Sequence, residues 1–82
     1  MEVFVKDKFY KKTCKYPKFV QQHILKSMEL LKNFPFARLD IKKLAGKDDL
    51  FRLRIGNYRI FFILEENRIY VFDAKVREKA YK

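Results

Sequence analysis

The run Phe51-Arg52-Leu53-Arg54-Ile55-Gly56-Asn57-Tyr58-Arg59-Ile60 leaves this chain few ways to fold. Apolar and basic residues alternate in it, the period of a strand with one buried face. Gly56-Asn57 divides the run as a two-residue hairpin loop, with glycine at the first central position as a type II′ turn requires. The loop fixes the register: Ile55 faces Tyr58, Arg54 faces Arg59, Leu53 faces Ile60 and Arg52 faces Phe61. One sheet face then carries Phe51, Leu53, Ile55, Tyr58, Ile60, Phe62 and Leu64, and something must cover it. The opposite face carries Arg52, Arg54 and Arg59, continued by Phe61 and Ile63. Tyr70 and Phe72 of a following strand join that face if the alternation survives the turn at Glu65–Arg68.

The first half of the chain supplies the cover. Residues 2–6 alternate as a first strand. Asp7 is placed to cap a short helix from Lys8 to about Tyr16, with Phe9 inward and Tyr10 and Cys14 as further inward candidates. Pro17 suits the first turn of a second helix over 17–33. There Val20, Ile24, Met28 and Leu31 make one stripe, widened by Leu25 and flanked by Phe19 and Leu30. Asn33 and Pro35 stop it. Lys11, Lys12, Lys15, Lys18, Gln21, Gln22, Lys26 and Lys32 make a solvated outer surface, and His23, one position off the stripe, reads as structural or exposed. Residues 36–49 are a connection with a weak strand from Ala37 to Leu44 and a turn at 45–49. Strands at 51–55, 58–64 and 69–74 follow. The order β-α-α-β-β-β predicts a single α+β domain over 1–82, an N-terminal strand and a two-helix hairpin on a three- to four-stranded antiparallel meander.

Composition narrows the function classes. The chain has 82 residues, so its core must be dense, and 49% hydrophobic residues with nine Phe and five Tyr supply one. That content excludes a disordered basic tail. The longest apolar stretch, Ile60 to Leu64, is far too short for a helical membrane span. No signal peptide is visible, and the lone Cys14 has no disulfide partner and only His23 as a companion for zinc. A cytoplasmic protein without metal or cofactor is expected. The net charge of +10 fits a polyanionic partner, or a lysine-rich surface that keeps a small protein soluble, an enrichment that also accompanies life at high temperature. Both halves of the chain carry net +5, but eight of the fourteen lysines lie in residues 1–41 and five of the six arginines in residues 42–82. Arginine, planar and always charged, is the better phosphate ligand. Two arginines opposed on a ladder weaken it. Their presence at 54 and 59 is therefore read as a preformed anion site with aromatic residues beside it for base stacking. The plain alternative is that these guanidiniums splay into water or pair with Asp48, Asp49 or Glu78.

The run Lys42-Lys43-Leu44-Ala45-Gly46 followed by Phe51 to Ile60 resembles the core signature of the RelE/ParE superfamily of toxins from toxin–antitoxin modules. Val76-Arg77-Glu78-Lys79-Ala80-Tyr81 sits where that family has its basic, tyrosine-containing ending. The resemblance covers the whole chain in length, element order and charge, and it implies a RelE-like fold. It also implies a metal-independent endoribonuclease that cuts mRNA, in many members on the ribosome, using the RNA 2′-hydroxyl as nucleophile. Carried over by position, Arg54, Arg59, Arg77 and Tyr81 become the catalytic candidates. Arg59 and Arg77 would stabilise the phosphorane, and Tyr81 would orient or stack on the nucleotide. Arg52, Lys42, Lys43, Lys47, Lys75 and Lys79 become RNA-binding candidates, with contacts to mRNA and ribosomal RNA. A small antitoxin is the implied protein partner, and the aromatic face beside the arginines suits it.

The chain departs from the pattern at Val76, where relatives often have His, and at Arg52 and Arg54, where some have Lys. An arginine is a poor proton acceptor at neutral pH. Lys75, Lys79, Glu78 and Asp73 are the nearby substitutes, and the sequence singles out none of them. Two other readings stand beside the nuclease: a ParE-like toxin directed at DNA gyrase without RNase activity, and a catalytically weak basic RNA-binding adaptor.

Overall fold

Strand β1 (Glu2–Val5) runs into helix α1 (Asp7–Thr13) and helix α2 (Lys18–Leu31). Strands β2 (Ile41–Lys43), β3 (Leu50–Ile55), β4 (Tyr58–Glu65) and β5 (Arg68–Val76) complete the chain. The computed structural model describes residues 1–34, 38–44, 46 and 49–76. The five strands form one sheet in the order β1-β5-β4-β3-β2. Two helices on one face of a largely antiparallel sheet is the α+β architecture expected from the sequence.

The β3–β4 hairpin has the predicted register at each predicted pair: Ile55 opposite Tyr58, Arg54 opposite Arg59, Leu53 opposite Ile60 and Arg52 opposite Phe61. Gly56 has φ 59°, as the first central residue of a II′ loop needs, and Asn57 does not share the positive φ. Leu53, Ile60 and Phe62, with Ile69, Val71 and Ala74 of β5, are fully buried. Phe9 of α1 and Val20, Ile24, Met28 and Leu31 of α2 close over them in one cluster. Burying each such large side chain stabilises the fold by about 1.5–3 kcal/mol, which is what a chain of this size needs. Phe62 sits at the centre, its ring stacked on Phe51 at 5.4 Å and met edge-on by Phe34 at 6.0 Å.

The strand and helix ends differ from expectation for identifiable reasons. β1 is an edge strand of the sheet, parallel to β5, with Phe4 opposite Tyr70 and Val5 opposite Val71. The chain between β1 and β5, two helices and then three strands, supplies the long connection that a parallel pair requires. Lys6 extends that pairing through its N–H to the Val71 carbonyl (3.0 Å) and stays extended, φ −78° and ψ 151°. Lys6, not Asp7, is therefore the N-cap, and Asp7 is the first helical residue. α1 stops at Thr13 rather than Tyr16. Gln21, expected on the solvated surface, donates from Nε2 to the carbonyls of Cys14 (3.2 Å) and Tyr16 (2.8 Å) and ties the end of α1 to α2. Pro17 is the N-cap of α2 rather than its first helical residue, with ψ 151°.

Three apolar assignments are corrected. Leu25 is 62% exposed and Tyr10 55%, and Cys14 lies at the surface. Ser27 is buried on the stripe instead, three residues after Ile24 and four before Leu31, and Leu25 falls outside it. The weak strand expected over 37–44 is confined to Ile41–Lys43, and β5 runs longer than 69–74. The turn before it comprises only Glu66 and Asn67, with Glu66 at φ 55°.

Candidate nucleic-acid interface

The sheet face turned away from the helices collects the basic residues of four strands. Alternation on β3 and β4 puts Arg52, Arg54 and Arg59 there, and the registers of β2 and β5 add to them. Lys42 is opposite Arg52, and Lys75 is opposite Arg59. Two rows result, Lys42–Arg52–Phe61–Asp73 and Arg54–Arg59–Lys75. Lys43 pairs with Phe51 and belongs to the helix-side face instead. Arg77, Tyr81, Lys47 and Lys79 lie outside the described residues, as do Glu78 and Asp48.

A bulge decides how β5 meets this face. Phe61 is opposite Asp73 while Phe62 is opposite Val71, so Phe72 has no register partner. Tyr70 joins the arginine face beside Ile63, as the alternation predicts, and Phe72 is the extra residue of the bulge, outside the helix-side core cluster. One extra residue in a strand exchanges the two faces beyond it. That exchange is what turns Asp73 and Lys75 toward the arginines' side and keeps Ala74 in the core. Farther along the same face Phe4 stacks on Tyr70, rings 5.4 Å apart.

The guanidiniums are not all free in water. The Nε atoms of Arg52 and Arg59 are buried and meet no acceptor among the described residues. A buried donor without a partner costs about 1–3 kcal/mol, so these two arginines are held at a cost to the fold. Arg54 Nε donates to Asp40 Oδ2 at 3.0 Å, both side chains about half exposed. Sequence reasoning missed Asp40 and looked to Asp48, Asp49 or Glu78 for a counter-charge. The partner comes from the last residue before β2, whose carbonyl also accepts the Arg54 N–H at 2.9 Å.

Asp73 is committed elsewhere. Its Oδ1 accepts from Lys12 Nζ and from the Ala74 N–H, each at 2.8 Å. The hydrogen bond from Lys12 holds its carboxyl below the usual carboxylate range despite partial burial. Tyr16, ring-to-ring with Tyr58 at 4.7 Å on the helix side, has its hydroxyl pushed up, chiefly by burial. Among the described residues no group of His, Cys, Asp and Glu could hold a metal ion, and no helix is long and apolar enough to cross a membrane.

No protein-family model matches the chain. Its sequence is 39% identical over 59 residues to a curated candidate toxin, RelE1, of Methanocaldococcus jannaschii. That match takes in 67% of this chain and 66% of the relative's length. Among solved structures, the RelB–RelE antitoxin–toxin complex from Methanococcus jannaschii contains a chain that superposes with a TM-score of 0.82 at 26% identity, covering 95% of this chain and 94% of that one. The RelE–RelB complex from Pyrococcus horikoshii OT3 gives 0.80 at 26% identity, covering 96% and 97%. The isolated Escherichia coli RelE toxin gives 0.79 over 98% of this chain and 87% of that one, and at 15% identity it bears on the fold alone.

Proposed function

We propose that this chain, which belongs to the RelE family of toxins, is the toxin of a toxin–antitoxin pair and acts as an endoribonuclease on mRNA at the ribosome. The observation that carries the reading is the row Arg54–Arg59–Lys75, three cations side by side on one open sheet face. Such a row weakens the ladder and strengthens a contact with a phosphodiester.

The chemistry follows from that contact. The RNA 2′-oxygen attacks the adjacent phosphorus and the bond to the 5′-oxygen breaks, leaving a 2′,3′-cyclic phosphate and a 5′-hydroxyl. Negative charge accumulates on the phosphorane oxygens, where Arg54, Arg59 and Arg77 stabilise it. Tyr81 orients the nucleotide. The 2′-hydroxyl must lose a proton and the leaving oxygen must gain one. Arg52 and Arg54 serve poorly as bases, and Asp73 is held charged by Lys12. Of the described alternatives, Lys75 is the one that shares the row with Arg59. The reaction needs no metal or cofactor. Lys42 and Arg52, one row away, extend the contact to a neighbouring phosphate.

A protein antitoxin completes the proposal. Two similar structures were solved as RelE with RelB. The partly exposed Phe61, Ile63 and Tyr70 beside the arginines suit a partner that covers charge and apolar surface together. The test adds purified protein to programmed ribosomes and, separately, to a gyrase supercoiling reaction. Message cut at A-site codons by the wild type, and spared by Arg59→Ala, supports the nuclease. Inhibited supercoiling with intact message overturns it in favour of a gyrase-directed toxin.

A further inference from the structure

The counter-charge on Arg54 has a geometry that a bulk ion would not provide. Asp40 is held in line with β3 by its own main chain, since its carbonyl accepts the Arg54 N–H at 2.9 Å. Its carboxylate therefore reaches Arg54 Nε, 3.0 Å away, without ordering a long side chain of its own. A guanidinium has two hydrogen-bonding edges, one that includes Nε–H and one made of the two Nη groups. Occupation of the Nε edge leaves the Nη edge for a ligand. Arg59 on the other side of Arg54 repels it, so the pull from Asp40 and the push from Arg59 act along the same row.

We infer that Asp40 is a positioning residue that fixes the Nη edge of Arg54 toward the scissile phosphate of RNA. The inference rests on the nuclease reading proposed above. A carboxylate this close to a polyanion site opposes binding, so its value lies in orientation rather than attraction. Asp40 touches neither RNA nor the reacting atoms. Substituting it removes a negative charge, which by itself strengthens RNA binding, and frees Arg54 to swing, which slows the chemical step. The two effects have opposite signs, and a purely structural role produces neither split.

The experiment compares wild type, Asp40→Asn, Asp40→Glu, Arg54→Ala and the double variant Asp40→Asn/Arg54→Ala. It reads cleavage of ribosome-bound message together with the Arg54 Nε–H resonance of the free protein. Asp40→Asn is expected to lower kcat by about tenfold with KM unchanged or reduced. Asp40→Glu recovers part of the loss, and Asp40→Asn adds no further loss when Arg54 is already Ala. The Arg54 Nε–H signal, protected from exchange in the wild type, loses its protection in Asp40→Asn. An unchanged kcat, a loss confined to KM, or an equal loss in the Arg54→Ala background overturns the inference. The resonance needs no catalysis. If the wild type cuts no message the nuclease reading fails, and an Nε–H signal unaffected by Asp40→Asn separately overturns the role given to Asp40.

Discussion

Arg54 and Arg59 stand directly opposite each other across the β3–β4 ladder, and Lys75 continues the row on β5. Only Asp40, at the far end beside Arg54, relieves it with a carboxylate among the described residues. A fold selected for stability alone would gain from breaking the row. Arg59→Thr removes both the like-charge pair and a buried Nε–H, and a threonine suits a strand. Chemical denaturation should show the variant more stable by about 0.5–1 kcal/mol. Its affinity for RNA should fall. Lower stability would mean that the row is held by contacts other than those described.

The ion pair between Lys12 and Asp73 joins α1 to β5 at 2.8 Å and sets an acid limit on the fold. The Asp73 carboxyl titrates below its ordinary value of 3.8, first because of the hydrogen bond from Lys12. A group whose pKa is depressed by folding contributes stability above its unfolded pKa and loses it as pH falls through the folded one. Stability should therefore decline on acidification below about pH 4. In Lys12→Met that part of the decline should flatten, with about 1 kcal/mol lost at neutral pH. Urea titrations at several pH values measure both.

Glu66 occupies the left-handed region at φ 55° in the β4–β5 turn, where a Cβ is strained. Glu66→Gly should raise stability by about 1 kcal/mol. The same change should leave RNA cleavage untouched, since Glu66 sits at the end of β4 remote from Arg59. A thermal melt and a cleavage time course check the two halves of this expectation.

Much of this was legible locally. Gly56-Asn57 permitted one loop geometry, the loop permitted one register, and the register assigned each residue from Phe51 to Leu64 to its face. What escaped depended on distant pairing. Asp40 meets Arg54 only because three residues of β2 add to the outer edge of β3, and the weak strand legible over 37–44 carried no sign of its partner or register. The bulge at Phe72 carries no glycine to mark it, yet it decides that Lys75 falls opposite Arg59 and that Ala74 stays in the core. The parallel pairing of β1 with β5 joins residues more than sixty positions apart. It explains why Lys6 remains extended and displaces Asp7 from the cap. Leu25 went astray for a different reason, since helical periodicity gives the direction of a stripe but not its width.

The ends of the cut RNA test the central claim most directly. Ribosome-bound message incubated with the protein should yield fragments with a 2′,3′-cyclic phosphate on one side of the break and a 5′-hydroxyl on the other. Arg59→Ala should form them at least about a hundredfold more slowly, because it removes a cation from the developing charge. Fragments with 3′-hydroxyl and 5′-phosphate ends, or cleavage by Arg59→Ala at the wild-type rate, would contradict it.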